Sequence, residues 1–428
     1  MPAQANYPAS RKIRTPAYHT AVMQRSPFPP RLLPPLLKKR LVQCLPDSFD
    51  VLESNFLRLF SPQSTEKRSK VKYGSKESAA YTAFRFASVY AQQESIFEEI
   101  CDREPNFEPS RVLDLGSGPG QSLWAVQSIW GTKLDESPYD NDCQEVDRTD
   151  HKLRFTCIEP AKSMQDIAMR IYEPGFFPNT SITWQSSIRD AFHSSYYHGY
   201  DLAIASHILG ELKDRRAQES AVRLCWEALK PGGFLIILEE GDNAGFMVTN
   251  DMRNFVRNGK RSSMRDATIF APCKHKQKCP LTRPNLFSSS ETNEDLKVRT
   301  NSICTFPVRV ERPGSPEFTH SYFSYLVLRK SAEDWDGANN TSDESVGRVI
   351  GTPRKRKGHV LFNICHENGN FESSIVSKKD NKKRPGIYKC TRKARWGDLW
   401  PPPTGIPIPS SADEEDADNA DGRRIIII

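Results

Sequence analysis

The sequence lacks long apolar runs and internal repeats, and both absences limit the class of protein. Its 428 residues contain no stretch near the roughly 18 apolar residues that a membrane-spanning helix needs. No segment recurs at a fixed period, which excludes solenoids, coiled coils and collagen. What is left is a globular protein, long enough for two or three domains of about 150 residues each.

Negative charge is missing from the first 46 residues, which carry eight Lys or Arg and no Asp or Glu. Arg11, Arg14 and Arg25 stand among Ser and Thr residues, without the long apolar segment of a secretory signal. This composition is typical of an organelle transit peptide, and a basic tail that contacts RNA is the alternative. We expect a mitochondrial transit peptide over 1–31 and a location in the mitochondrial matrix.

Positive charge is concentrated again near the other end of the chain. Residues 351–400 hold thirteen Lys or Arg against four Asp or Glu, whereas 47–350 hold 37 against 43. The net charge of +7 therefore arises from two separate basic blocks. Residues 401–428 are Pro-rich and then acidic, which predicts a disordered tail.

Two helical stretches precede an alternation of strands and helices. Apolar residues recur at helical spacing through 32–60 and 77–101, which predicts a helical N-terminal region over 32–105. From residue 111 short apolar runs alternate with helical stretches, and this order indicates a parallel, doubly wound α/β sheet. The predicted strands are 111–115, 155–159, 182–184, 201–205 and 234–238, then 322–328 and 359–364 after an irregular stretch; 333–353 is predicted to be a polar loop.

A glycine-rich loop, Asp114-Leu-Gly116-Ser117-Gly118-Pro-Gly120, follows the first predicted strand and opens a helix. Glycines let the backbone approach a ligand, and the helix N-terminus adds exposed N–H groups. The third glycine comes one residue earlier than in the nicotinamide fingerprint. The loop instead resembles the first motif of class I S-adenosylmethionine methyltransferases. This resemblance implies a Rossmann-like domain over 106–260, with the loop around the methionine end of the cofactor.

Two further acids fit the same family pattern. Glu159 ends the second strand, where a carboxylate would accept hydrogen bonds from the ribose hydroxyls. Asp190 follows the third strand, near the expected adenine position. A Rossmann-like domain with a vestigial cofactor site is the alternative. The predicted cofactor-binding residues are Asp114, Gly116, Ser117, Gly118, Gly120, Glu159 and Asp190.

No acceptor-site motif accompanies the cofactor loop. The fourth strand ends at Ser206-His207, without the Asn/Asp-Pro-Pro-Tyr/Phe segment that amino-group RNA methyltransferases often carry there. The nucleophilic Cys near Pro of pyrimidine-C5 enzymes is missing from this place too. His207 is a candidate base, although a His at a strand end more often forms hydrogen bonds within a loop. The catalytic residues and the methyl acceptor stay unassigned, and enzyme activity stays open.

Cysteines make up ten of the residues, and the sequence has no secretory signal that would favour disulfides. Cys273 and Cys279 lie in a basic, proline-bounded loop, where neighbouring lysines favour thiolates. Together with Cys304 and Cys365 they could hold Zn²⁺ or an iron–sulfur cluster, and their spacing does not decide between the two. Unrelated surface cysteines are the alternative. We interpret His275, in the same loop, as a solvated residue and not as a ligand.

Several short segments occur in a consistent order between residues 80 and 400. Together they resemble the methyltransferase-like proteins associated with the mitochondrial small ribosomal subunit. The segments are Tyr81-x-Ala83-x-Arg85-x-Ala87-x-x-Tyr90, the glycine loop with Leu123-Trp124-Ala125, Glu159-Pro160 with Ser163-Met164, Ala271-Pro-Cys273, Cys279-Pro-Leu281, Phe323-Ser-Tyr-Leu-Val-Leu-Arg329 and Arg392-Lys-Ala-Arg395-Trp-Gly-Asp398-Leu-Trp400.

The resemblance implies a factor for small-subunit assembly and mitochondrial translation, which contacts small-subunit rRNA and ribosomal proteins as a monomer. It also implies a [4Fe–4S] cluster, with zinc as the alternative, in a Cys-rich region over 261–400. The implied ligands are Cys273, Cys279, Cys304 and Cys365. In the family a His usually follows the third Cys directly, whereas Thr305 follows here. The alternative function is an active S-adenosylmethionine-dependent rRNA methyltransferase.

The basic block over 351–400 is then predicted to face RNA. Its cations would neutralise phosphates, and Tyr388 and Trp396 would stack on bases. A solvated charged face is the alternative. The cations are Arg354-Lys-Arg-Lys357, Lys378-Lys379, Lys382-Lys-Arg384 and Arg392-Lys-x-Arg395.

Overall fold

The structure of the protein is a computed structural model. It describes residues 30–45, 49–60, 72–131, 153–172, 177, 179–189, 199–257, 264–282, 303–313, 318–331, 346–382 and 384–401. Nearly all of the expected transit peptide, Asp190 and the acidic tail after residue 401 lie outside these residues.

The N-terminal region is helical, as predicted. It consists of a short strand β1 (Pro30–Arg31) and helices α1 (Pro35–Cys44), α2 (Phe49–Phe60) and α3 (Ser75–Arg103). Glu77 in the first turn of α3 and Arg103 in its last turn complement the helix dipole. Buried side chains lie on several sides of α3, including Gln92 and Gln93, because this helix lies between the central sheet and the outer helices.

The central sheet has a parallel core that continues into antiparallel strands. Its order is β4-β3-β2-β5-β6-β9, in which β9 runs antiparallel to β6, and both β7 and β8 pair with β9. This order is that of a class I methyltransferase and confirms the predicted fold class. The strands are β2 (Arg111–Leu115), β3 (Leu153–Ile158), β4 (Thr180–Gln185), β5 (Tyr200–Ser206), β6 (Leu229–Glu240), β7 (Ala267–Ala271), β8 (Phe306–Glu311) and β9 (Phe318–Lys330).

Helices cover both faces of this sheet. Alternate residues of β2 point to opposite faces, so Val112 packs with α3 and α4 while Leu113 packs with α6 and α7. The sheet includes β7, β8 and β9, so the predicted boundary at residue 260 falls inside this body. The helices are α4 (Gln121–Val126), continued by a π turn to Gly131, α5 (Lys162–Ile171), α6 (Arg215–Ala228) and α7 (Asn243–Arg257).

A second, smaller sheet follows in the order β12-β11-β10-β13, and all its pairs are antiparallel. Its own core contains Val349, Val360 and Trp400. Strand β10 begins at Gly347, so the prediction of a polar loop through residue 353 is wrong for its last part. The elements are β10 (Gly347–Arg356), β11 (His359–Cys365), β12 (Phe371–Ser377), α8 (Ile387–Lys393) and β13 (Leu399–Trp400).

A buried arginine joins the second sheet to the body. Arg348 of β10 pairs with Glu99 of α3 and donates to the carbonyl oxygens of Pro272 (2.6 Å) and Gly397 (2.8 Å). Burial by itself would raise the pKa of Glu99, but the charges of Arg348 and Arg103 outweigh it and lower that pKa. The contact therefore fixes an ionised carboxylate inside the protein.

None of the helices in the described ranges combines the length and the apolar character needed to cross a bilayer.

Candidate functional site

The glycine loop turns sharply between β2 and α4. Gly116, Gly118 and Gly120 all have positive φ, at 72°, 52° and 86°. A side chain at Gly116 would also place its Cβ 2.8 Å from Ile208, which follows β5. Ser117 is buried and donates to the backbone oxygen of Asp114 (2.9 Å). The loop therefore has the geometry that lets a backbone come close to a ligand.

Asp114 lies near the end of β2 and is fully buried. Burial raises its pKa to about 7, partly offset by the nearby hydroxyls of Ser122 and Ser117. Within the described residues, neither carboxylate oxygen accepts a hydrogen bond of good geometry. A buried carboxyl with spare acceptors is what an incoming N–H or ammonium group of a ligand would need.

Glu159 lies directly beside the glycine loop. One carboxylate oxygen accepts from the N–H of Gly118 (2.9 Å) and the other from the N–H of Ala161 (2.8 Å). Burial raises its pKa, and these two backbone donors oppose the rise. Each oxygen keeps a second lone pair for a ligand hydroxyl. The structure thus brings Asp114, the three glycines, Ser117 and Glu159 together at the carboxyl ends of β2 and β3.

His207 is held in a buried network instead of facing an open site. It has a positive φ of 56°, unusual for a residue with a side chain. Its Nε2 lies 2.9 Å from Oε1 of Gln92 and its Nδ1 lies 3.3 Å from Oε1 of Glu240, which also pairs with Arg85. Gln92 and Arg85 belong to α3, so this helix covers the carboxyl ends of β5 and β6. These contacts favour the interpretation of His207 as a structural residue.

The four predicted metal ligands come from three separate segments that meet. Cys273 and Cys279 follow β7, Cys304 precedes β8, and Cys365 ends β11. The ligand atoms of Cys273, Cys365 and His275 all lie within 4.8 Å of one another. Burial raises the pKa of Cys304, and the charges of Cys279 and Cys273 raise it further, which reflects their proximity.

The thiols of the cluster fit a soft metal centre. A hydrogen bond from Cys365 lowers the pKa of Cys273, although burial opposes this effect. The same bond raises the pKa of Cys365. Buried thiolates are the donors that zinc and iron–sulfur clusters select. The ligand atoms of Cys273 and Cys365 are close together, and the thiols of Cys279 and Cys304 are near enough to affect neighbouring pKa values, so this donor set is compatible with either group.

His275 does not behave as the sequence predicted. It is 3% exposed and its Nε2 lies 3.5 Å from Sγ of Cys365, so the expectation of a solvated loop residue is wrong. Arg253 of α7 lies against the other ring nitrogen at 3.0 Å. The position of His275 between Cys273 and Cys279 is a sequence signal for a place near the thiols. The contact with Arg253 has no such signal, because this arginine lies on another element.

Seven exposed basic residues of 351–400 lie at one end of the second sheet. The N–H of Lys378 donates to Gly358 (3.1 Å), and the guanidinium of Arg392 reaches the backbone oxygen of Arg356 (3.4 Å). We call this group the basic tip; its exposed members are Lys355, Arg356, Lys357, Lys378, Lys379, Lys382 and Arg392.

Two residues predicted for the RNA-facing surface lie elsewhere. Arg395 is 8% exposed, and burial lowers its pKa, so the prediction that it faces RNA is wrong. Trp396 is partly buried, with its ring 6.0 Å from that of Tyr322 on β9. Lys383 lies outside the described residues.

Solved methyltransferases resemble the structure at low identity. An O-methyltransferase family protein from Burkholderia thailandensis is 12% identical, with a TM-score of 0.35, over 69% of this chain and 73% of that chain. The N-methyltransferase NodS from Bradyrhizobium japonicum is 11% identical, with a TM-score of 0.32, over 57% of this chain and 98% of that chain.

Curated relatives are similar over most of this chain. The human protein named "Ribosome assembly protein METTL17, mitochondrial" is 25% identical over 80% of this chain and 66% of its own length. The Saccharomyces cerevisiae protein named "Ribosome assembly protein RSM22, mitochondrial" is 23% identical over 73% of this chain and 66% of its own. In Schizosaccharomyces pombe, "Rsm22-cox11 tandem protein 2, mitochondrial" is 26% identical over 74% of this chain and 42% of its own. The chain thus spans slightly less than two thirds of the length of the human and S. cerevisiae proteins, and less than half of the length of the S. pombe protein.

A family model matches residues 75–401, which include α3, the glycine loop, all four predicted metal ligands and the basic tip. This match covers well over half of the chain and confirms the resemblance found in the sequence. The protein belongs to the family described as mitochondrial small ribosomal subunit Rsm22.

Proposed function

We propose that the protein is an assembly factor of the mitochondrial small ribosomal subunit, which binds small-subunit rRNA and carries a metal centre. Membership of the Rsm22 family and the names of the relatives support the assembly role and a location in the mitochondrial matrix. The observation that carries the proposal is the meeting of four cysteines from two sheets. The second sheet, which bears the basic tip, supplies Cys365, and the body supplies the other three.

The proposed metal centre is a [4Fe–4S] cluster on Cys273, Cys279, Cys304 and Cys365, with zinc as the alternative. A group bound by all four residues joins segments far apart in the chain, and its binding energy then becomes folding energy. The Arg348–Glu99 pair crosses the same junction. The centre would thereby fix the second sheet in one position against the body.

The proposed rRNA surface is the basic tip. Seven exposed cations there would neutralise phosphates and release counterions. Strand β11 has seven residues, so about 20 Å of extended chain separates His359 near the tip from Cys365 in the cysteine cluster. The metal centre would hold one end of the sheet while the opposite end contacts RNA.

S-Adenosylmethionine is the proposed ligand of the glycine loop. The left-handed glycines, the spare acceptors of Asp114 and the position of Glu159 support this assignment. Asp190 completes the proposal as a residue near the adenine. When bound, this cofactor would supply a methyl group for transfer.

An active rRNA methyltransferase is the second candidate, favoured by the intact loop geometry. The buried contacts of α3 over His207 and Glu240 weigh against an open acceptor site. Methyl transfer to purified small-subunit rRNA discriminates between the two functions. Methylation that is lost in Asp114→Ala, while subunit assembly continues, would refute a role in assembly alone.

The matrix location has its own test. Residues 1–46 fused to a fluorescent protein are expected to direct it into mitochondria, because this segment has the charge of a transit peptide. A fusion that stays in the cytosol would contradict the proposed transit peptide over 1–31. Charge-neutral replacement of Arg11, Arg14 and Arg25 in the same fusion provides the control.

A further inference from the structure

His275 lies between an arginine and a cysteine sulfur. Its Nδ1 is 3.0 Å from a terminal nitrogen of Arg253, and its Nε2 is 3.5 Å from Sγ of Cys365. His275 and Arg253 are 3% and 5% exposed. Both ring nitrogens therefore have defined partners inside the protein, and these partners differ in chemistry.

The arginine decides which ring nitrogen carries the proton. A guanidinium has five N–H donors, no acceptor, and does not deprotonate in proteins. Nδ1 of His275 must therefore accept a hydrogen bond from Arg253, which leaves the proton of the neutral ring on Nε2. That N–H is directed at the sulfur of Cys365, which can accept it.

The same geometry argues against His275 as a metal ligand. A metal-bound His normally donates its other ring N–H to a carboxylate, a carbonyl oxygen or water. Here the other nitrogen of His275 faces the donor Arg253, so coordination through Nε2 would leave Nδ1–H against a guanidinium. The short distances among Cys273, His275 and Cys365 therefore reflect a hydrogen bond from His275 to sulfur and not coordination of a metal by His275.

Neighbouring groups hold the arginine and the ring in place. Arg253 also donates to the backbone oxygens of His275 (2.5 Å) and Gln277 (2.7 Å). The turn after Cys365 closes over it, because a Cβ at Gly369 would lie 3.3 Å from Nδ1 of His275 and 2.7 Å from Cβ of Gln277. The ring thus has little freedom to turn its Nε2–H away from Cys365.

We infer that His275 is a positioning residue that donates its Nε2–H to the sulfur of Cys365, in a tautomer fixed by Arg253. The inference rests on the proposed metal centre. Hydrogen bonds to ligand sulfurs withdraw electron density and set the reduction potential of iron–sulfur clusters. His275 therefore stabilises the reduced form of the centre. It also slows the exchange of Cys365 for another ligand of the metal.

The test compares three variants of the full chain, purified without oxygen. His275→Leu removes the N–H, His275→Gln restores an amide N–H near the place of Nε2, and His359→Leu changes a histidine at the far end of β11. Iron and sulfide are measured in each protein, and the cluster is titrated against redox mediators with detection by electron paramagnetic resonance.

We expect all three variants to keep their iron. At a fixed potential, the ratio of reduced to oxidised cluster falls roughly tenfold in His275→Leu, since one hydrogen bond to a charged group is lost. It stays within about twofold of the original protein in His275→Gln and His359→Leu, since both keep an N–H donor at the sulfur. An unchanged ratio in His275→Leu overturns the inference. Loss of iron from both His275 variants also overturns it, because that result identifies His275 as a ligand.

A zinc protein gives a separate outcome. Stoichiometric zinc without iron would refute the proposed cluster, and the hydrogen bond is then measured by the rate of zinc transfer to a chelator. Faster transfer from His275→Leu alone supports the inference. Equal rates in all proteins overturn it.

Discussion

Nη2 of Arg348 lies 2.5 Å from Oε1 of Glu99, and this pair crosses from the second sheet to the longest helix of the body. Both side chains are largely buried, and Tyr325 donates to the other oxygen of Glu99 (2.9 Å). The contact lies beside the segment that carries Cys273, because Arg348 also binds Pro272. Charge pairing and the proposed metal centre therefore act at the same junction.

Removing this arginine is expected to be costly. Arg348→Met leaves a buried carboxylate without its main partner, and we expect the free energy of unfolding to fall by about 3 kcal/mol or more. The matched control is Arg329→Met, whose arginine pairs with Glu104 at the same 2.5 Å but in a more exposed position. Its loss is expected to cost about 1 kcal/mol. Urea unfolding measures both, and equal losses would contradict a special role for the junction.

Stability is expected to fall as the pH rises from about 5 to 8. Burial raises the pKa of Asp114 to about 7 and that of Glu239 to about 8, above their ordinary values near 4. The folded protein then binds more protons than the unfolded chain in this window, so ionisation at higher pH destabilises it. Each group contributes at most about 1.4 kcal/mol per pH unit.

Substitution of the two acids checks this sign. Asp114→Asn and Glu239→Gln are each expected to flatten the dependence of the unfolding free energy on pH. Asp166→Asn, at a carboxylate whose side chain is 53% exposed, serves as the control and is expected to keep the slope. Unfolding followed from pH 5 to pH 8 would contradict the account if stability rose.

Alanine at Gly116 is expected to damage both folding and ligand binding. Its positive φ costs roughly 1–2 kcal/mol, and the contact with Ile208 adds about 1–3 kcal/mol. Gly232 has a similar φ of 82° with open space around it, so Gly232→Ala is expected to show the first cost alone. Thermal unfolding with and without S-adenosylmethionine is the measurement. A cofactor-dependent rise that persists in Gly116→Ala would count against binding at this loop.

Reversal of two charges at the basic tip is expected to weaken rRNA binding. Lys378→Glu with Lys379→Glu removes two phosphate contacts, so the slope of log affinity against log salt should drop by about 2. Lys162→Glu, at a lysine of α5 whose side chain is 72% exposed, is the matched control and should leave the slope unchanged. An equal drop of this slope in the Lys378/Lys379 variant and in Lys162→Glu would indicate a nonspecific response to charge.

The sequence predicted the middle of the parallel sheet well because β2 and the second half of β6 are largely apolar runs beside glycines. Every residue from Val112 to Leu115 is buried, as the pattern requires. Strand β10 was missed because Gly347–Arg356 contains two glycines, a proline and four cations. The strand pairs with β11 on both sides of a bulge, and its first half is also fixed by the buried contacts of Arg348 with segments distant in the chain.

The environment of individual polar residues was less predictable. His275 and Arg395 look solvated in the sequence because lysines and arginines surround them. His275 is buried by Arg253, which is 22 residues away, and by Cys365, which is 90 residues away. Such contacts have no local period or spacing, so only the folded chain reveals them.

The most direct test of the central claim is metal and sulfide analysis of the full chain purified without oxygen. We predict brown protein with about four iron and four sulfide per chain. Cys365→Ser should lose the iron, while Cys390→Ser, at a buried cysteine of α8 in the core of the second sheet and outside the cysteine cluster, should keep it. Protein that contains neither iron nor zinc, or that keeps its full metal content in Cys365→Ser, would contradict a metal centre that joins the two sheets.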